Sequence, residues 1–325
     1  MDRVLLRQIL LTLAYSAGFD HPLKIEELRS RLYVPRQGRQ NLDEFWWLSQ
    51  DKQLSLINNG LALMLSWGWV VNRGEWWTLS THSSDLVRAV AGRKLANLKL
   101  KKAKQVVRAF GWWPWIKSVY ISGSVAAGLS GADDDLDFLI VTWPGCLWIT
   151  RPLVVFLAWI FGHRRSWSKE EPNSWCFNLW LESDDLAMSP DSHSLYTAFE
   201  LVQLKQVWGR DNTSLIWSQN PWLYNYLPLF DNQLIHSRSQ TTIGSGWLVG
   251  KLVSGVRYLG AVLGYPLVLL VNIPAYFIQL GYMRPHMTKE KVGYNKAFFH
   301  PRNTRCQIYA NWRREVVECV RYKDD

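Results

Sequence analysis

A chain of 325 residues is long enough for two or three domains with real cores, and its 48% hydrophobic and 20% charged residues exclude a disordered polymer. Four cysteines without a C-x-x-C pair, and seven scattered histidines, exclude a disulfide scaffold and point away from a structural zinc site. A net charge of +10 favours polyanionic partners: nucleotides, nucleic acid or a membrane surface.

The opening residues, Met1-Asp2-Arg3-Val4-Leu5-Leu6-Arg7, are too charged for a signal peptide, so a cytoplasmic protein is expected. Val4, Leu5, Ile9, Leu10, Leu13 and Ala14 recur at helical spacing over 4–16, and Gly18 ends that helix. A second short helix is predicted from Leu23 to Leu32. A third covers 52–67, with Leu54, Leu56, Ile57, Leu61, Leu63, Met64 and Leu65 on its buried side. Two β-prone runs between Trp69 and Leu79 flank Asn72-Arg73-Gly74 and predict a hairpin. Three helices and a hairpin follow the order of a winged helix-turn-helix, so residues 1–85 are assigned as a winged-helix-like domain. Such a domain sets its third helix in the DNA major groove. Here that helix carries Lys52 as its single base, which suits packing better than phosphate contact, and DNA is kept as a less favoured partner.

From Leu86 to Ala132 there is no acidic residue but nine bases: Arg88, Arg93, Lys94, Lys99, Lys101, Lys102, Lys104, Arg108 and Lys117. Residues 86–112 are predicted to form a connector helix. Its charge reads either as a solvated face or as a cationic wall beside a polyphosphate site.

The next segment carries the chemistry. Ser118–Ile121 predicts a strand, Ser122–Leu129 a Gly-Ser turn with a short helix, and Asp133–Val141 a loop entering a second strand. Gly123 lets the backbone approach a ligand closely. Ser124 and the N–H groups opening the helix suit a triphosphate oxygen. Asp135 and Asp137, two apart on a strand, point their carboxylates to one face and can hold Mg²⁺ for in-line phosphoryl transfer.

Gly123-Ser124, ten intervening residues, then Asp135-x-Asp137 in a hydrophobic strand resembles the signature of the DNA polymerase β-like nucleotidyltransferases. Tyr15 to Leu23, Leu147–Arg151, Cys176–Asn178, Tyr196–Leu201 and Phe299–Pro301 are similar to a prokaryotic group of that superfamily in which a winged-helix-like region precedes the transferase domain. The resemblance implies an α/β (α+β) fold: a mixed sheet with helices at 113–215, and a helical region at 216–325. It also implies an enzyme dependent on Mg²⁺ (or Mn²⁺) that moves an NMP from an NTP to an unknown hydroxyl acceptor, whether small molecule, protein or nucleic acid. Asp135 and Asp137 would be catalytic metal ligands, with Gly123 and Ser124 on the nucleotide.

The family's third carboxylate lies on a later strand. The matching strand here is Ser174–Leu181, and Asn178 stands at the matching position. An amide binds metal weakly and is no general base. Glu182 shares its parity but lies about 13 Å further on. The alternative is therefore a catalytically inactive nucleotide-sensing or DNA-binding regulator.

Arg151 reads as an auxiliary group on a phosphate or motif carboxylate, or as a structural ion pair. Tyr196, Glu200 and Gln203 share one helix face, where Glu200 is expected to cap a basic group. His300, before Pro301, reads as a loop histidine. Leu259–Met283 is 25 residues without a charge, long enough to cross a bilayer but interrupted by Pro266 and Pro274. A buried helical hairpin is the favoured reading, and membrane contact the less favoured one.

Overall fold

The computed structural model describes residues 2–34, 43–161, 174–230, 247–287, 290–299 and 304–321; His300 and Pro301 lie outside them. Helix α1 (Arg3–Ala17) starts where the Asp2 side chain accepts the Val4 N–H. It packs Ile9 and Leu13 with Leu28 of α2 (Ile25–Ser30) and Ile57 of α4 (Gln50–Ser66). A short α3 (Asp43–Trp46), which the periodicity did not reveal, precedes α4. On α4, Ile57, Leu61 and Met64 are buried as expected, but Leu56 and Leu65 are exposed. Sequence neighbours on a helix point about 100° apart, so a run this apolar cannot fit on one face. The hairpin of β1 (Val70–Arg73) and β2 (Trp76–Leu79) pairs Arg73 with Trp76. Its turn is therefore Gly74-Glu75, with Asn72 and Arg73 still in the strand and Gly74 at φ 61°.

The sheet that carries the motif has the order β6-β3-β4-β5-β8-β7. Its strands are β3 (Ile116–Ile121), β4 (Leu136–Thr142), β5 (Trp175–Glu182), β6 (Lys205–Gly209), β7 (Lys291–Val292) and β8 (Lys296–Phe298). β4 and β5 are parallel, and the other neighbours are antiparallel. A parallel pair needs a crossover, which α7 (Leu147–Ile160) supplies. β4 sends Phe138 and Ile140 to the α7 face and Leu139 and Val141 to the opposite face. Both faces are covered, so the strand reads as one apolar run. The second face packs on α8 (Leu195–Val202) and α9 (Thr213–Ser218). Helices and a mixed sheet thus make an α+β architecture. The region 216–325 is not wholly helical, because β7 and β8 extend the sheet; strands of two and three residues are too short for alternation to show in sequence.

Helix α5 (Asp85–Val106) runs between the hairpin and the sheet. Helix α10 (Trp247–Met283) lies against α7, and α11 (Thr304–Arg321) returns to α1, where Trp312 Nε1 donates to the Leu11 carbonyl. The α7–α10 contact is built from two amides. Asn272 Oδ1 accepts the N–H groups of Trp148 and Ile149, which open α7 without a partner of their own. Pro152 has no N–H to offer the Trp148 carbonyl four residues back, and Gln279 Nε2 donates there instead. The far side of α10 is open. Only 11% of its most apolar stretch is buried, so no protein surface among the described residues closes over it as the buried hairpin requires.

Candidate nucleotide and metal site

β3 delivers the chain to Gly123, which takes φ 66°, a conformation that glycine reaches without strain. A Cβ on Gly123 would lie 2.6 Å from Asp137 Oδ2, so glycine alone lets the turn press this close to the carboxylate. The Ser122 N–H donates to the Asp137 carbonyl at 2.9 Å and fixes the turn to β4.

Both motif carboxylates are half-buried and reach the start of β5. Asp135 accepts the Ser174 N–H at 3.0 Å and the Cys176 thiol at 3.4 Å. Asp137 Oδ1 accepts Asn178 Nδ2 at 2.7 Å. Asp137 stands opposite Cys176 while Leu139 stands opposite Leu179, so β5 holds one extra residue here. That irregularity brings Asn178 onto Asp137. Carboxylate oxygens are the donors that a hard divalent cation takes, so Asp135 and Asp137 are of the right chemical type to hold one. Among the described residues no third carboxylate, His or Cys completes a three-ligand cluster with the pair.

Ser124 serves the loop rather than the opening. Its hydroxyl donates to Asp134 Oδ2 at 2.6 Å, and Asp134 also accepts the Gly131 N–H. Burial works against the charge on Asp134, but these hydrogen bonds and Lys99 hold its carboxyl below the usual range. Lys99 Nζ donates to the carbonyls of Ala132 and Asp134, and the Gly92 carbonyl accepts the Ser130 N–H. Helix α5 is thus a buttress for the acidic loop as well as a connector. Arg93 also turns inward, pairing with Glu27 at 3.0 Å over the Trp76 ring. A Cβ on Gly128 would meet Lys205 Nζ at 3.7 Å and Arg93 Nη1 at 3.8 Å, so two cations flank the end of α6 (Gly123–Ala127). Arg88, Lys94, Lys101, Lys102 and Arg108 face solvent. The basic run is partly a solvated face and partly a support for the acidic loop.

Three further residues named from the sequence make contacts that it did not show. Glu182 is buried and accepts the Leu147 N–H, capping α7. Arg151 donates to Gln279 and stacks on Phe299, between α7 and α10. Glu200 caps no base: it accepts the Gly123 N–H at 3.1 Å and the Gln203 amide at 3.1 Å. Burial pushes its carboxyl up to about 7, and the two hydrogen bonds only partly oppose the shift. Its charge in turn raises the Tyr196 hydroxyl. The sequence singled out Glu200 but not its place beside Gly123; the signal was a single charge in the otherwise apolar helix Leu195–Val202.

The chain matches no protein-family model, no curated protein and no solved structure.

What the site can do follows from its own groups. The Gly123 turn presses on Asp137 and gives its N–H to Glu200, Asp135 precedes β4, and Lys205 and Arg93 lie at the other end of α6. Paired carboxylates are oxygen donors of the kind that a hard divalent cation takes.

Proposed function

We propose that the chain binds a nucleoside triphosphate with Mg²⁺ (or Mn²⁺) and acts as a slow nucleotidyltransferase, moving an NMP from the NTP to a hydroxyl acceptor. The observation that carries this reading is the close approach of Gly123 to Asp137, which sets turn backbone and cation-binding carboxylate at one point. A divalent ion held by Asp135 and Asp137 would neutralise phosphate charge and polarise the transferred phosphoryl group. Phosphate oxygens would reach the site through that ion, since the Gly123 N–H is already given to Glu200. The protein works on the cytoplasmic side in this reading.

The hydrogen bond from Asn178 to Asp137 supports slow turnover. An amide cannot take the proton of an attacking hydroxyl. The same contact favours the second reading, a nucleotide sensor that binds without transferring. Calorimetry and a transfer assay with labelled NTP separate the two. NTP binding is expected to need the divalent ion and to disappear in Asp135→Ala and Asp137→Ala; equal affinity in chelator would defeat both readings. Asn178→Asp should raise transfer by roughly 10²–10⁴-fold if it restores a missing base or ligand. No transfer by either form would leave the sensor.

A further inference from the structure

Away from the motif, Asp20, His82 and Asp85 come together from the end of α1, the turn after β2 and the first turn of α5. One ligand atom from each lies within 4.8 Å of the other two. Asp85 is 3% exposed, and its Oδ2 is buried without a hydrogen-bond donor. Asp20 holds a positive φ of 52°, uncommon for a side-chain-bearing residue. On α11, the buried Glu315 sets its Oε2 3.4 Å from His82 Nδ1, at ion-pair distance without a formed hydrogen bond. Thr81 Oγ1 also contacts that nitrogen at 3.0 Å.

A protonated imidazole does not account for this arrangement. With Nδ1 facing Glu315 and Thr81, an imidazolium has one N–H left for two aspartates, and Asp85 Oδ2 stays undersatisfied. Three carboxylates face one imidazole there, with Arg88 as a further cation near Asp85. A buried carboxylate oxygen without a donor is costly, and a cation resolves the cost directly.

We propose that Asp20, His82 and Asp85 form a site for a divalent transition-metal ion of the Zn²⁺ class, with Glu315 orienting His82 through Nδ1. An imidazole among the donors selects Zn²⁺ over Mg²⁺, which takes oxygen ligands. Ligands about 2.0–2.1 Å from Zn²⁺ must stand within 4.8 Å of one another, a condition that the three groups meet. The ion would fasten α1, the hairpin and α5 at one point. This site is separate from Asp135 and Asp137 and does not depend on the transferase reading.

The test is zinc content after gel filtration of the full chain, first stripped with chelator and then reloaded with one equivalent of Zn²⁺. The wild type and Asp137→Ala should retain about one ion per chain, and His82→Gln and Asp85→Asn should lose it. Glu315→Gln should weaken retention roughly 10–100-fold. Because His82→Gln could also unfold the chain, Co²⁺ is added to wild type alone, where a tetrahedral site of mixed nitrogen and oxygen donors gives a visible absorption band. Retention equal in wild type and a folded His82→Gln, or no cobalt band, would overturn the site.

A different observation concerns α10. Ten residues of its 22-residue stretch Val262–Met283 are exposed large apolar side chains, Leu263, Leu267, Leu270, Phe277 and Ile278 among them. They form one side of the helix. The other side holds Val268, Asn272, Gln279 and Met283 against the protein. On the neighbouring α7, Trp159 is also exposed.

We infer that this face seats in the surface of a lipid bilayer, with α10 lying in the membrane plane. A crossing helix would have to withdraw Asn272 and Gln279 from the α7 backbone groups they satisfy. An in-plane helix keeps both contacts and buries only its outer side. Residues 232–289 contain no Asp or Glu but hold Arg238, Lys251, Arg257, Arg284 and Lys289, which favours anionic headgroups. Flotation with phosphatidylcholine vesicles, with and without phosphatidylglycerol, tests this. The full chain should float with the anionic vesicles and at least tenfold less with the neutral ones. The double variant Leu267→Glu/Leu270→Glu should stay at the bottom with an unchanged circular dichroism spectrum. Failure of the wild type to float, with a dimer by light scattering that the same variant dissociates, would assign the face to a second copy and overturn the inference.

Discussion

Glu200 shows how one side chain can couple the site to pH. Its carboxyl titrates near 7 in the fold, against about 4.5 when unfolded. A raised carboxyl pKa means that the folded state holds its proton more tightly. The stability from the neutral form is therefore full below about pH 4.5, falls as pH rises towards 7, and is flat above. One pKa unit is worth about 1.4 kcal/mol, and partial exposure screens the group, so the loss is at most about 3 kcal/mol. Glu200→Gln keeps an acceptor for the Gly123 N–H and removes the titration. Urea unfolding at pH 5 and pH 8 should show wild type losing stability across this interval by more than the variant does. Parallel pH profiles would mean that Glu200 is ionised at little cost.

Among the elements, α7 depends on its neighbour to a degree that its own sequence hides. Leu147 to Ile149 have N–H groups that no residue of α7 can accept, and Glu182 and Asn272 accept them. Asn272→Leu would leave two buried N–H groups unpaired and free Tyr294 from its amide, at a cost of about 2–4 kcal/mol by the usual penalty per group. Asn272→Asp keeps the acceptor and places a negative charge at a helix N-terminus, so its loss should be smaller. Denaturant midpoints for the two variants check this. Equal losses would show that packing volume, rather than the acceptor, matters at position 272.

Across the whole molecule, the N-terminal helices and the sheet are separate hydrophobic cores joined at α1 and α11. Trp312 packs against both, sets its ring edge to Tyr15 and Tyr33, and bonds to the Leu11 carbonyl. Glu27 adds a charged tie. Burial opposes its ionisation, yet Arg31 and Arg93 hold its carboxyl down at about 2. Its contribution is thus present above about pH 4.5 and is lost as pH falls towards 2. Trp312→Ala should remove about 3–5 kcal/mol, chiefly from the junction. Scanning calorimetry should then turn one unfolding transition into two. A single transition with unchanged shape would place the coupling in the Glu27–Arg93 pair.

What the sequence determined was local: helices and strands of ordinary length, the hairpin, and the Gly123-Ser124 turn leading to a strand that Asp135 precedes and Asp137 occupies. Each follows from spacing within a few residues, because backbone periodicity fixes which side chains share a face. Asn178 was legible as the residue at the family's third-carboxylate position, but its contact with Asp137 across a register shift was not. Tertiary structure decided the rest. Ser124 closes on Asp134, Glu200 reaches Gly123 across 77 positions, and Asp20 meets His82 and Asp85 across more than 60. No spacing rule sees these partners, since they lie on different elements and meet only when apolar faces pack. The open side of α10 was equally hidden. Composition shows how apolar a helix is, and only packing shows which side stays uncovered.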